Sequence, residues 1–301
     1  MPEAALRFAC TQCGKCCNRP PEVLLSEAAG LADVFVFRLM FRLYRLPRLL
    51  GDEDQRREPA AATAEEFYQQ KRLLAAHAAR KYATRLRRGS KVVDYTHYLM
   101  ISALSLDTGR GACGALRNNV CNIYERRPLA CRTVPFHYSR TEAAAARDFN
   151  AFIATPGYRC DTGGNAPVVL DGGRIIDQAT YEARDAALKL AERERAWKEA
   201  IVRRMKAASS GKPSLPSLAE VEANASFGAT TTSMRAAWQI AAECGLIESD
   251  EQRRLTAVQM AAIERELAQP NSTRDARETL LQMRSEYLPH RPVHGRSRPE
   301  Q

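Results

Sequence analysis

The chain has no run of about 18 or more uncharged apolar residues, the length a membrane-crossing helix requires. Its nearest approach, Leu31 to Leu46, is shorter and broken by Arg38, Arg42 and Arg45. The start, Met-Pro-Glu-Ala-Ala-Leu-Arg-Phe-Ala-Cys, has no basic segment leading into an apolar one, so a secretory signal is not expected. Basic residues never run beyond adjacent pairs, although the formal charge is +10. The densest stretch is Arg80-Lys81 through Arg85, Arg87, Arg88 and Lys91, and charge so dispersed reads as solvated faces before it reads as a nucleic-acid groove. There is no Walker loop, no His-Glu-x-x-His and no Gly-x-Ser-x-Gly elbow. One match to Gly-x-Gly-x-x-Gly, at Gly109, Gly111 and Gly114, fails its context: a turn over Arg117-Asn-Asn-Val120 follows it instead of a helix, and Cys113 interrupts it. No internal repeat is seen. These absences leave a globular protein, expected in the cytoplasm, where thiols stay reduced.

Against this background the cysteines stand out. Eight of the nine fall into two groups: Cys10, Cys13, Cys16 and Cys17 within eight residues, then Cys113, Cys121, Cys131 and Cys160. A core cysteine acts as a small hydrophobe and needs no companions. Crowded thiolates repel one another, so the economical reason to crowd them is a cation. Cys-x2-Cys-x2-Cys lets one loop wrap three corners of a cubane, and Gly14 suits such a loop because it tolerates positive φ. Zinc fits the same residues, with Cys10-x2-Cys13 as half of a site and two of Cys113, Cys121 and Cys131 completing a tetrahedron. A 4Fe–4S cluster is favoured on the spacing, zinc is the alternative, and a disulfide framework is the remaining reading. Cys16 beside Cys17 departs from the ferredoxin pattern. The ninth cysteine, Cys244, reads as a buried thiol at a helix end.

The expected fold class is α+β: a small, turn-rich, metal-binding cysteine-cluster domain with a helical insertion, then a mainly helical C-terminal extension. A helix is expected over Leu24 to Leu46, with Arg38, Arg42 and Arg45 on one face. A second opens at a capping box, Thr63 to Glu66, and runs to about Arg88 with Leu74, Ala78, Tyr82 and Leu86 aligned. Val92 to Leu106 reads as extended. Val168-Val-Leu170 and Arg174-Ile-Ile176 flank Asp171-Gly-Gly173 as a hairpin. A long helix is expected from about Thr180 to Ala207, buried along Trp197, Ile201 and Met205. Three more cover roughly Ser233 to Cys244, Asp250 to Leu267 and Thr273 to Tyr287, the second with a capping box at Ser249 to Gln252. Domain boundaries follow: residues 1–207 as the cluster domain with core motifs over 6–165, a linker over 208–218, helices over 219–288 and a disordered tail over 289–301.

Phe8-x-Cys10-x2-Cys13-Gly14-x-Cys16-Cys17, with Cys113-x2-Leu116 and Cys121-x-Ile123-Tyr124-Glu125-x-Arg127-Pro128-x2-Cys131-Arg132-x2-Pro135-Phe136 downstream, resembles the YkgJ-type CxxCxxCC cysteine-cluster family. Members are described as zinc- or iron-chelating domains or as iron–sulfur proteins. Cys160 with its following Asp-Thr-Gly resembles the family's last cysteine. The resemblance implies all eight clustered cysteines as metal ligands. It also extends distantly to flagellin lysine N-methylase, which implies a protein-lysine methyltransferase-like enzyme with a protein substrate as an alternative function. A basic nucleic-acid-binding module is a third. Arg127 and Arg132 are candidates to donate hydrogen bonds to the thiolate site, and His137 is a candidate ligand or proton carrier set against a structural role.

Overall fold

The computed structural model describes residues 5–15, 17, 20–49, 64–88, 90–107, 113–118, 120–207, 215–226, 228–270 and 272–288. The elements run β1 (Leu6–Arg7), β2 (Glu22–Val23), α1 (Leu25–Gly30), β3 (Phe37–Pro47), α2 (Ala64–His77), β4 (Arg80–Arg88), β5 (Lys91–Ser105), β6 (Leu116–Arg117), β7 (Val120–Cys121), α3 (Leu129–Arg132) and α4 (Ala145–Ile153). They continue with β8 (Val168–Asp171), β9 (Arg174–Ile175), α5 (Gln178–Arg193), α6 (Arg195–Ala207), α7 (Leu218–Asn224), β10 (Thr230–Ser233), α8 (Arg235–Glu243), α9 (Ser249–Leu267) and α10 (Arg274–Tyr287). Helix and sheet are mixed, as an α+β fold requires.

The insertion between Cys17 and Cys113 is a correction: it is chiefly an antiparallel sheet, with one long helix. Strand β3 pairs β5 from Phe37↔Ser105 to Pro47↔Tyr95, in the segment expected to be helical. Arg38 and Arg42 are four apart, and four is close to one helical turn yet also a multiple of the strand period, so the two readings agree there. Arg45 separates them, because three steps reverse the strand face. The alternating Phe37, Leu39 and Phe41 are fully buried and face the core with Leu99, Ile101 and Ala103 of β5. The second helix also stops early, at His77, and Tyr82 and Leu86 lie on β4, which pairs β5 from Arg80↔Leu99 to Arg88↔Lys91. The capping box at Thr63 lies outside the described residues, as do Gly109 and Gly111.

The extended reading of Val92 to Leu106 and the β8–β9 hairpin stand as expected. The long helix is divided at Glu194, whose side chain turns inward to accept the Ser26 N–H at 2.6 Å. Helix α9 has Glu248 at its N-cap with no side-chain cap bond, so the expected capping box at Ser249 does not form. Cys244 is exposed, not buried: it ends α8, and Gly245 (φ 69°) turns the chain outward.

Residues C-terminal to 219 share the main core. Strand β10 pairs β3, Thr230↔Phe41 to Ser233↔Arg38, on the edge opposite β5. Trp238 of α8, Leu255, Ala262 and Ile263 of α9, and the expected Trp197, Ile201 and Met205 stripe of α6 join the same cluster. Gln259 of α9 is fully buried and accepts from Phe37 N at 2.8 Å, while it donates to the carbonyls of Ala32 and Phe35 at 2.8 and 2.6 Å. A buried amide so satisfied fixes the helix against the entry of β3. Most of the expected linker and the whole tail lie outside the described residues, but Leu215 is buried and Ser217 caps α7.

Candidate metal centre

The cysteine-bearing segments are short and are joined by individual backbone bonds. Ala9 N donates to Asp161 O at 2.7 Å, and Asp161 N returns the bond to Ala9 O at 3.0 Å. In that antiparallel bridge the next pair of residues is Cys10 and Cys160, side by side across the chain reversal. Thr11 Oγ1 donates to Arg159 O at 2.8 Å and closes the far side. Phe8, one residue before the bridge, is buried edge-on against Phe149 and Phe152, with centroids 6.3 and 6.1 Å away.

The other cysteines approach in the same manner. Gly14 takes φ 71°, as its place in the loop suggested, and Cys17 N donates to Gly14 O at 3.2 Å. Gln12 also has positive φ (55°), which the sequence does not announce. Cys113 N donates to Cys17 O at 2.7 Å, so the two cysteine groups are tied through the main chain. Leu116 pairs with Cys121 in the β6–β7 hairpin, whose turn has Asn118 at φ 51°. Burial raises the Cys113 thiol pKa, the Ala115 N–H lowers it, and the nearby Cys121 raises it further. Cys131 lies on α3.

All seven described cysteines of the two groups line one cavity of ≈ 690 Å³. Cys16 lies outside the described residues. The donor set is thiolate-rich and therefore suits zinc or iron. As the side chains stand, no three His, Cys, Asp or Glu groups among the described residues form a set that could hold a metal ion.

Helix α3 is held from outside the cysteine motifs. Glu27 of α1 accepts from Leu129 N at 2.7 Å and Leu24 N at 3.1 Å, bridging the start of α3 to the start of α1. Burial raises the Glu27 pKa and these two N–H groups lower it. Behind it the Glu194–Lys198 pair, 3.1 Å apart, is almost wholly removed from solvent. The signal for Glu27 in the sequence is a lone carboxylate inside the apolar stretch Val23 to Ala29.

Arg127 and Arg132 both line the cavity. Arg127 is engaged locally: Nε donates to Tyr124 O at 2.9 Å and the guanidinium lies 3.7 Å from the Tyr124 ring centroid. His137 also lines the cavity. Its Nδ1 lies 3.1 Å from Ser139 N and 2.7 Å from Ser139 Oγ, so Ser139 fixes the ring's orientation. Burial and the charges of Arg140 and Arg184 lower its pKa to about 4, so the ring is neutral near pH 7. Glu22, Arg42, Asp177 and Thr180 form a polar wall beside it that sequence reasoning missed. Arg42 reaches Glu22 at 3.2 Å.

Residues 9–155 match the model of the CxxCxxCC family, described as "Putative zinc- or iron-chelating domain". This segment is similar to the CxxCxxCC family. Cys160, the cross-strand neighbour of Cys10, falls just beyond the matched residues. No curated protein and no solved structure matches the chain. Among the described residues no helix is long and apolar enough to cross a membrane.

Proposed function

We propose that the CxxCxxCC-like segment holds iron as a 4Fe–4S cluster, with Cys10, Cys13, Cys16, Cys17, Cys113, Cys121, Cys131 and Cys160 as the pool of ligands. The observation that carries this reading is the convergence of the two cysteine groups, through the Ala9–Asp161 bridge and the Cys17–Cys113 bond, on one cavity. The Cys-x2-Cys-x2-Cys spacing favours a cluster over zinc. When bound, either metal supplies folding free energy, because no preformed site exists in the unfolded chain. This matters where β1, β6 and β7 are only two residues long. The chain's own part is to hold the loop ends in register and to exclude water with Phe8 and its aromatic neighbours.

Anaerobic purification with elemental analysis and visible absorption tests the reading. Iron with acid-labile sulfide supports it, whereas a colourless protein with stoichiometric zinc would overturn the cluster. Cys13→Ala should lose both metal content and cooperative folding, and full metal content in that variant would remove Cys13 from the ligands.

The polar wall of Glu22, Arg42, His137 and Asp177 supports a second reading, an enzyme acting on a substrate beside the metal. A protein-lysine methyltransferase is its most concrete form. Calorimetric titration of the metal-loaded protein with S-adenosylmethionine tests it, and no heat of binding would dispose of it.

A further inference from the structure

A second cavity, ≈ 680 Å³, lies away from the cysteines and is lined by Arg48, Lys71, Lys81, Arg85 and Asp94 among others. These residues come from four places: the end of β3, helix α2, strand β4 and strand β5. Asp94 is already committed, since Arg85 meets it with Nε at 2.8 Å and a second nitrogen at 3.4 Å. Arg48, Lys71 and Lys81 therefore face the cavity with no other carboxylate in its lining. Lys71 Nζ donates to the carbonyls of Pro47 and Arg48 at 3.0 and 2.7 Å, and the Phe67 ring lies 5.1 Å away. Two of its three N–H groups are thus used to fix it, and one remains for a ligand.

We propose that this cavity binds a phosphate group. Three cations held at one cavity repel one another, and a dianion with several acceptor oxygens relieves all three at once, which a single carboxylate does not. The crowding is evident at Lys71, whose pKa is lowered first by burial and then by the charges of Lys81 and Arg48. Protection of an exposed strand edge would account for the cations on β4. It does not account for Lys71 on a helix and Arg48 after β3 facing the same space. The phosphate can belong to a soluble phosphorylated compound, as one dianion, or to a nucleic-acid backbone, as successive phosphodiesters of one charge each. For a backbone, Lys81, Arg85 and Arg87 share one face of β4 and continue the positive track beyond the cavity.

The full-length protein titrated with inorganic phosphate, and separately with a short oligothymidylate, tests the proposal at an ionic strength of about 0.15 M. Binding of phosphate itself points to a soluble compound. Binding of the oligonucleotide alone, weakening steeply with salt, points to a backbone. In either arm Lys81→Ala should weaken binding roughly tenfold, the loss of one charge-assisted contact, and Lys71→Met at least as much. Arg203→Ala, an exposed arginine on α6, should leave affinity unchanged. Lys81 is exposed, so its variant carries the test should Lys71→Met fail to fold. Failure of both probes to bind, or equal affinity in wild type, Lys81→Ala and Lys71→Met, would overturn it.

Discussion

The two ends of this molecule are built by different means. At the sheet end, β3 and β5 pair over eleven residues and are covered by α6, α8 and α9, so burial alone accounts for order. At the cysteine end β1, β6 and β7 are two residues long, α3 has four residues, and the segments meet through one or two backbone bonds each. The contrast separates a region that burial orders from one whose short segments have little burial of their own, and the metal proposed above would add its folding free energy to the second.

The comparison is broken most severely from the sheet side. Trp238 is fully buried, and Trp238→Ala should cost about 3–5 kcal/mol by chemical denaturation. Metal bound per folded molecule should not change; loss of metal from the folded variant would show that the ends are not separable. Acid comes next. His77 is buried beside Tyr138, and burial followed by the charge of Lys198, joined by His137 once that ring is itself protonated, lowers its pKa to about 4. Below the ordinary histidine range the unfolded chain takes up a proton that the folded chain refuses. The stability present above about pH 6.5 should therefore fall as pH drops toward 4, by up to about 3 kcal/mol. His77→Gln should flatten that slope, and an unchanged slope would assign it elsewhere.

A smaller effect probes the junction between the ends. Glu27→Ala leaves the N–H groups of Leu24 and Leu129 without their acceptor, for an expected loss of about 2 kcal/mol. Because α3 carries Cys131, metal retention should fall further than stability does, and Glu27→Gln should restore most of both. The smallest effect is local. Asn118→Val places a β-branched residue at φ 51° and should cost about 1–2 kcal/mol in the metal-free protein. Metal should mask much of this loss by holding Cys113 and Cys121 together, so equal losses with and without metal would separate the hairpin from the site.

The sequence made some of this legible and hid the rest for physical reasons. The cysteines, Gly14 and the β8–β9 turn declared themselves through residue types that have few other uses. The C-terminal helices were plain because their apolar stripes follow a single period. Phe37 to Pro47 was misread because Arg38 and Arg42, four apart, satisfy helix and strand alike. The reach of helix α2 was overestimated for the same reason, since Leu74, Ala78, Tyr82 and Leu86 keep the four-residue step across the break after His77. Glu27 and Gln259 work only through partners about a hundred and more than two hundred residues away. No local pattern records such distances.

The bridge between Ala9 and Asp161 also has a consequence for manufacture. Cys10 leaves the ribosome well ahead of residue 160, so it has no neighbour there until that later segment has emerged. The nascent chain thus carries an open cysteine loop through the synthesis of some 150 residues. Under the proposed function, loading belongs to the end of that interval, after both cysteine groups have emerged.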